Sequence, residues 1–425
     1  MGFSFMPKAT VSKQDEGSDD VSIIDDGSLH FTAEGGANST QLTYQEASGA
    51  PIEVNSPLGY SVGYVTVVFL NLSKMIGTGV FTTPGSVGLS LFYWVIGYLV
   101  ASSMLSVYLE FASYFPSRSG SEVVYLEQSY PRPKYFFPTV FAMQTVLFSF
   151  SSSNAVVLAQ YLFKLAESEA SDWQLKGVAV ASYSVAFLVL VFNTKWSLHL
   201  ANAIGFVKLI TLIFIGITGL VVLGGNVSAI PDSKINFRNA FEGTSAATVY
   251  GATNALVKVM FSYKGYENAF NVVNEVRNPV KTLRWSAPVS LTLTATLYML
   301  ANIAYFTSAS KDEILKSKIG VASLFFEKVF GTSGASRALN FLICLSAFGN
   351  LIAVLIGQSR VLRECGRQGV LPFTGFWTST RPFGTPLGPY TLKWALTVIM
   401  ILAPPAGDAF NFGLSQPIHE LAPHS

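Results

Sequence analysis

Two short stretches of this sequence place glycine, proline and polar residues inside long apolar runs. The first is Asn71-Leu-Ser-Lys-Met-Ile-Gly-Thr-Gly-Val-Phe-Thr-Thr-Pro84. Glycine costs about 1 kcal/mol and proline about 3 kcal/mol relative to alanine in a helix interior, so we predict that a membrane helix unwinds here. Unwinding frees main-chain N–H and C=O groups, which at membrane depth must be buried in protein or line a wet cavity. Together these groups suit a small zwitterion.

The second stretch is Phe261-Ser-Tyr-Lys-Gly-Tyr-Glu-Asn268, five predicted spans further along the chain. Interruptions at corresponding positions of two five-span units indicate an inverted-repeat transporter with a site near the middle of the membrane. Either interruption alone has a simpler explanation, because glycine in a membrane helix often only allows close helix packing.

The composition places both stretches in a membrane protein. Half of the 425 residues are hydrophobic, only 12% are charged, and the mean hydropathy is +0.43. A chain this apolar is a polytopic membrane protein, which excludes a soluble enzyme. The four histidines and two cysteines show no metal-ligand or triad spacing. We therefore predict no catalytic residue, no metal, no cofactor and no nucleic-acid partner.

Nine apolar segments are long enough to cross about 30 Å of hydrocarbon. They centre on residues 61–90, 92–115, 136–164, 175–193, 199–224, 246–274, 285–308, 337–359 and 388–404. We therefore predict an all-α transmembrane transporter domain over residues 59–404. Lys and Arg concentrate in one set of alternate loops, for example at Arg277, Lys281 and Arg284. This asymmetry places the N-terminus in the cytosol.

The two ends of the chain are polar. Residues 1–58 hold two lysines, Lys8 and Lys13, against nine acidic residues. We predict a disordered, acidic cytosolic tail whose lysines are candidate sites for ubiquitin and endocytic adaptors; the alternative is a plain solvated leader. Residues 405–425 are interrupted by Gly, Asp, Pro and His and form an atypical polar tail. We therefore expect the membrane domain to stop after about nine spans, which leaves its second five-helix unit truncated.

Three groups of motifs together carry a family resemblance. They are Gly77-Thr-Gly-Val-Phe-Thr-Thr-Pro84, the second stretch followed by Glu275-Val-Arg-Asn-Pro279, and Ser359-Arg-Val-Leu-Arg363 with Gly369-Val-Leu-Pro372. Over about residues 58–410 the chain resembles the amino acid–polyamine–organocation (APC) superfamily, and within it the fungal L-type amino acid transporters of the methionine-permease type. The resemblance implies a LeuT-like, five-plus-five inverted-repeat fold whose broken first and sixth helices hold the substrate.

The groups at the breaks match the two ends of an amino acid. A half-helix that begins near Val80 presents free N–H groups and a partial positive charge to a carboxylate, and the last carbonyls of the preceding half-helix suit an ammonium. We assign the carboxylate to Thr78, Gly79 and Val80, and the ammonium to the first break together with the main chain of the second. Phe261 is also a candidate gate over the substrate side chain. The predicted substrate-binding residues are Met75, Ile76, Gly77, Thr78, Gly79, Val80, Phe261, Ser262, Tyr263 and Gly265.

Lys208 lies in the middle of the fifth apolar segment, where an ionisable group is costly and usually faces the bundle interior. It matches a lysine of the family's fifth helix, and the resemblance implies that its ammonium stands where related transporters hold sodium. We therefore predict that Lys208 is a coupling residue, which favours proton coupling or exchange over sodium symport. The alternatives are a lysine that reaches the membrane interface and a structural ion pair. Lys74, Lys264 and Glu267 flank the breaks and are candidates to pair with one another or to tune the cavity.

The combined interpretation is transport of an L-amino acid by alternating access. The resemblance implies methionine or another neutral amino acid, and uptake across the plasma membrane. Two alternatives stay open: an amino-acid sensor would share both broken helices, and a truncated chain would not transport. An ion channel is disfavoured because no segment offers a ring-forming acidic or carbonyl filter motif.

Overall fold

The computed structural model describes residues 56–77, 87–130, 133, 135–147, 151–225, 227, 230, 232–241, 249–316, 321–331 and 334–403. The predicted substrate residues Thr78, Gly79 and Val80 lie outside this part of the chain. So do the predicted tail over residues 405–425 and all of the predicted tail over residues 1–58 except its last three residues.

The described chain is helical, and its only pairing of extended segments is a bridge between Val62 and Val276. Its helices are α1 (Tyr64–Met75), α2 (Val87–Tyr114), α3 (Glu122–Ser129), α4 (Phe136–Leu147), α5 (Ser152–Leu165), α6 (Asp172–Phe192), α7 (Thr194–Leu223), α8 (Ile235–Arg238), α9 (Val249–Tyr263), a 3-10 helix (Asn268–Glu275), α10 (Pro279–Ser308), α11 (Lys311–Lys316), α12 (Val321–Phe330), α13 (Gly334–Arg367), α14 (Thr374–Thr378) and α15 (Leu387–Leu402).

Five of these helices are long and apolar enough to cross a membrane: α2, α6, α7, α10 and α13. The apolar helices α1 and α15 are shorter. The prediction of an all-α polytopic membrane protein is therefore confirmed at the level of fold class. The exact helix arrangement of an inverted repeat stays a prediction.

Two predicted span boundaries are wrong. Residues 87–90, expected at the end of the first span, begin α2 instead, because the apolar sequence from Val87 to Tyr114 contains no proline and no polar cluster that would end a helix. The predicted third span, residues 136–164, is divided between α4 and α5. Ser151, which precedes α5, is non-helical, and its N–H donates to the Thr397 hydroxyl of α15 at 3.3 Å.

Helix α1 lies at the centre of the packing. It contacts α10, α7 and α13, while α10 also packs against α2, and α13 also packs against α5. Most residues of α1 are buried, including the polar Asn71 and Ser73. A helix surrounded in this way has its C-terminal end inside the protein, where its unpaired carbonyl groups need partners.

Buried ion pairs close one end of the bundle, where α2 and α13 finish. Arg118 donates to Glu364 at 2.6 Å and reaches Glu127 of α3 at 3.4 Å. Arg360 of α13 pairs with Glu275 at 2.8 Å through its Nε atom. Both carboxylates at this end that are fully buried, Glu275 and Glu364, are therefore held by arginines.

Candidate functional site

The start of the first predicted break is present in the structure, and the half-helix expected to begin near Val80 lies outside the described residues. Helix α1 ends at Met75, and Ile76 has a non-helical ψ of 78°. The N–H of Gly77 turns back to donate to the Met75 carbonyl at 2.8 Å. The interruption falls where the glycine content of the sequence predicts it, and it leaves the last carbonyls of α1 without helical partners.

Lys208 donates hydrogen bonds to two of the carbonyls at the end of α1. Its ammonium Nζ donates to the carbonyl of Ser73 at 2.9 Å and to that of Ile76 at 2.8 Å. Ser346 of α13 also donates to the Ile76 carbonyl, at 3.3 Å. The Lys208 residue is only 3% exposed. The alternative in which this lysine reaches the membrane interface is therefore wrong.

Two further side chains complete the end of α1. The Tyr298 hydroxyl of α10 lies 2.6 Å from the Met75 carbonyl oxygen and 3.1 Å from that of Ser262. The Asn350 amide of α13 donates to the Lys74 carbonyl at 2.7 Å. Tyr298 is fully buried and joins the carbonyl ends of α1 and α9. The Met75 carbonyl also accepts from Gly77, whereas the Ser262 carbonyl only shares the single Tyr298 proton and keeps acceptor capacity.

The second predicted break is present as well. Helix α9 ends at Tyr263, and Gly265 has a φ of +138°, which side chains other than glycine rarely adopt. A Cβ atom at Gly265 would lie 2.7 Å from the Met75 nitrogen and 2.9 Å from the Lys74 carbonyl carbon. This glycine is therefore required both by its own backbone conformation and by close contact with the first break.

An ion pair joins the two breaks. Glu267 accepts from the Lys74 ammonium at 2.8 Å through Oε1, and from the Gly265 N–H at 2.7 Å through Oε2. The exposed fraction is 15% for the lysine side chain and 7% for the glutamate side chain. The interpretation that these two flanking residues pair with one another is confirmed.

Side-chain amides add two further links between α1 and the 3-10 helix. The Asn71 side-chain oxygen accepts from the N–H of Ala269 at 2.8 Å. The Asn268 amide donates to the carbonyl of Leu70 at 3.3 Å. Together with the ion pair, these contacts hold the final turns of α1 against the segment that follows the second break.

The structure brings six of the predicted substrate residues to one place. Met75, Ile76 and Gly77 form the first break and adjoin Ser262, Tyr263 and Gly265 at the second. The Tyr263 ring is buried and its hydroxyl donates to the Trp94 carbonyl at 3.0 Å, so its side chain faces α2.

The ring of Phe261 differs from its buried neighbours in the second break, because it is 57% exposed. Its assignment as a gate over the substrate side chain stays a prediction.

Sequence reasoning missed Tyr298, Asn350 and Ser346. All three lie in apolar segments, and a buried asparagine in such a segment is the clearest available signal, because its amide must find partners inside the protein. Asn350 also accepts from Asn154 of α5 at 2.8 Å, which extends the polar contacts of the first break to the divided third segment.

Comparison with known proteins decides the family. A family model described as "Amino acid permease" matches residues 62–416. The chain belongs to the amino acid permease family. This family consists of permeases, which confirms the prediction that the chain is not an enzyme. Within the described residues, no group of three or more His, Cys, Asp or Glu side chains could hold a metal ion.

Curated relatives agree with this membership. The chain is 40% identical over 356 residues to the high-affinity methionine permease of Saccharomyces cerevisiae, a match that covers 82% of this chain and 62% of that permease. It is 29% identical over 374 residues to the low-affinity methionine permease of the same yeast, covering 84% and 67% respectively. It is 26% identical over 358 residues to the human cystine/glutamate transporter, covering 81% and 68%. The chain thus spans less than two thirds of the length of the high-affinity permease.

Proposed function

We propose that this family member carries an L-amino acid across a membrane by alternating access. The observation that carries the proposal is the meeting of two helix breaks at Tyr298, whose hydroxyl contacts the carbonyls of Met75 and Ser262. Main-chain carbonyls that have lost their helical partners at membrane depth are typical of transporter binding sites. We include the LeuT-like inverted repeat in the proposal, because the breaks fall in the first and sixth apolar segments.

The contacts at the breaks refine the assignment of the ammonium group. The Ile76 carbonyl accepts from both Lys208 and Ser346, so its two lone pairs are in use. The Ser262 carbonyl shares a single proton with that of Met75 and keeps room for another donor. We therefore place the substrate ammonium nearest Ser262, with the carboxylate at Thr78, Gly79 and Val80 as the sequence predicts.

Methionine is the first candidate substrate, because methionine permeases are among the relatives of this chain. Loop charges support a cytosolic N-terminus. From the permease relatives we propose uptake into the cell, with the plasma membrane as the site of action. The buried Nζ atom of Lys208 donates to two carbonyls at the end of α1. We therefore propose that Lys208 is a coupling residue which makes transport independent of sodium.

The test is uptake and binding of a panel of labelled amino acids in the same vesicles, across a pH series. We expect saturable internalisation of methionine, competed by other neutral amino acids and unaffected when choline replaces sodium. Saturable binding without internalisation would identify a sensor. Failure of every amino acid to bind would overturn the proposal.

A substitution at the predicted carboxylate site sharpens this test. Gly79→Val is expected to abolish uptake without preventing membrane insertion, because a β-branched side chain obstructs the close approach that main-chain recognition needs. Normal uptake by a correctly inserted Gly79→Val protein would remove the first break from the substrate site.

A further inference from the structure

The buried carboxylates of the described chain fall into two kinds. Three acidic residues are fully buried there: Glu267, Glu275 and Glu364. Arg360 holds Glu275 through two nitrogens, at 2.8 and 3.2 Å. Glu364 accepts from two arginines. Arginine keeps its proton and binds carboxylates with a rigid fork, so these acids are firmly held as anions.

Glu267 differs from the other two in its partner and in its place. Its charged partner is a lysine, which contacts a single oxygen at 2.8 Å. Its other oxygen accepts from the main-chain N–H of Gly265. It also lies between the two helix breaks, whereas the arginine-held acids lie at one end of the bundle. Among the fully buried acids of the described chain, Glu267 is therefore the one that pairs with a lysine and not an arginine, and the one nearest the proposed substrate site.

We propose that Glu267 takes up the proton that drives transport, and that its ion pair with Lys74 is a tie between the two breaks that protonation releases. In this step a proton from the outer solution adds to the Glu267 carboxylate and gives the neutral acid. The Lys74 ammonium keeps its three protons and loses its anionic partner. Its side chain is twice as exposed as that of Glu267, which allows the freed ammonium to be hydrated. The inference rests on the proposed transport function.

The charged and titratable groups around Glu267 influence how readily its carboxylate binds a proton. Lys74 faces it from α1, while Lys264 and Tyr266 flank it on its own segment. Tyr108 faces it from α2. The Tyr108 hydroxyl donates to Glu122 of α3, which places a second acid behind that tyrosine. Burial opposes the charged form of Glu267, whereas Lys74 and Lys264 favour it, so the charge of Glu267 depends on the position of Lys74.

The release has a mechanical consequence at the breaks. Glu267 binds Lys74 on one side and Gly265 on the other, and Gly265 packs directly against the main chain of Met75. Neutralising the carboxylate weakens the charged contact and leaves the amide contacts of Asn71 and Asn268 in place. The first break can then shift relative to the second without separation of the whole helix pair.

The experiment compares exchange with net accumulation in proteoliposomes that contain the full chain and radiolabelled L-methionine. Exchange of labelled for unlabelled methionine needs no net proton movement, whereas net uptake is driven by an inside-alkaline pH gradient. With one proton per substrate, the wild type should accumulate methionine about tenfold per pH unit. Glu267→Gln, which resembles the protonated acid, should keep exchange and accumulate no methionine above equilibrium.

The matched control is Glu313→Gln. Glu313 pairs with Lys328 at 2.6 Å, but the two side chains are 45% and 37% exposed. This variant should accumulate methionine as the wild type does. If Glu267→Gln does not fold, the double variant Lys74→Met, Glu267→Gln replaces it in both assays, because it leaves neither charge buried without a partner.

Each result is decisive. Gradient-driven accumulation by the Glu267 variant equal to that of the wild type would overturn the inference and leave the transport function standing. Equal loss of exchange and accumulation by a folded variant would show a structural tie and would also overturn it. Absence of exchange by the wild-type chain would overturn the proposed function and this inference together.

Discussion

The hydroxyl oxygen of Tyr298 lies 2.6 Å from the carbonyl oxygen of Met75. A side chain of α10 thus supplies a second donor to this carbonyl, beside the N–H of Gly77. Because the same hydroxyl lies 3.1 Å from the Ser262 carbonyl, it also marks the point where the two breaks converge.

Tyr298→Phe should destabilise the folded protein by about 1 to 3 kcal/mol, because the Met75 carbonyl keeps only the Gly77 N–H and the Ser262 carbonyl loses its contact with the hydroxyl. The measurement is thermal unfolding in detergent, together with methionine uptake. Tyr305→Phe is the matched control on the same helix. Tyr305 is buried, and its hydroxyl has no hydrogen-bond partner within the described residues. An equal loss of stability in both variants would contradict the role assigned to Tyr298.

Gly265→Ala should be among the most disruptive single substitutions at the breaks. The positive φ and the close contact with Met75 each oppose a side chain, and together they should cost about 2 to 4 kcal/mol. Gly177→Ala in α6 is the control, because a Cβ there meets no atom within 4 Å. Thermal unfolding should show a large loss for the first variant and no loss for the second. Equal behaviour would mean that the breaks are not in close contact.

Lys208→Ala should lower uptake in choline medium, and sodium should restore part of it. Removal of the ammonium leaves the carbonyls of Ser73 and Ile76 at the negative end of α1, where a small monovalent cation can replace it. The control is Lys176→Ala, since Lys176 also donates to a helix-end carbonyl, that of Leu402, at 2.8 Å. Any loss in that variant should be independent of sodium. A Lys208 variant insensitive to sodium would argue against a cation-like role.

Glu127 should make stability depend on pH. Burial raises the pKa of this carboxyl to about 7 from an ordinary 4.5, and the nearby Glu364 adds to the rise while Arg118 opposes it. The folded state therefore holds a proton more tightly than the unfolded chain does. The contribution of Glu127 to the free energy of unfolding is full below about pH 4.5 and is lost as pH rises through about 7.

Glu127→Gln removes this titration. It should match the wild type near pH 5 and exceed its stability at pH 8 by on the order of 1 to 3 kcal/mol, measured by thermal unfolding. Glu167→Gln gives the opposite sign, because Arg337 lowers the pKa of the exposed Glu167 carboxyl. A Glu127 variant that follows the pH curve of the wild type would show that this group does not titrate as described.

The sequence predicted both breaks, because the cost of glycine and proline in a helix is a local property of the chain. Gly77 and Gly265 stand where the helices end. It also predicted that the Lys208 side chain faces the interior of the bundle, since exposure of an ionisable group to lipid costs free energy.

The partners of the breaks could not be predicted in the same way. Asn350 and Tyr298 lie 276 and 223 residues from the carbonyls they contact, and nothing local in the sequence specifies such pairings. The division of the third segment was missed for the same reason. The N–H of Ser151 bonds to Thr397, which follows it by 246 residues.

The distant donors of the first break also set an order of events during synthesis. Asn350 follows Lys74 by 276 residues, which takes on the order of tens of seconds at about 5 to 20 residues per second. Until then the end of α1 lacks the donors of α10 and α13 and must keep its carbonyls paired within its own helix or in contact with water. We therefore expect this segment to enter the membrane as an uninterrupted helix and to unwind after the later helices arrive. We therefore expect this break to form after insertion, and a pause in translation before α13 to prolong the interval in which it does not exist.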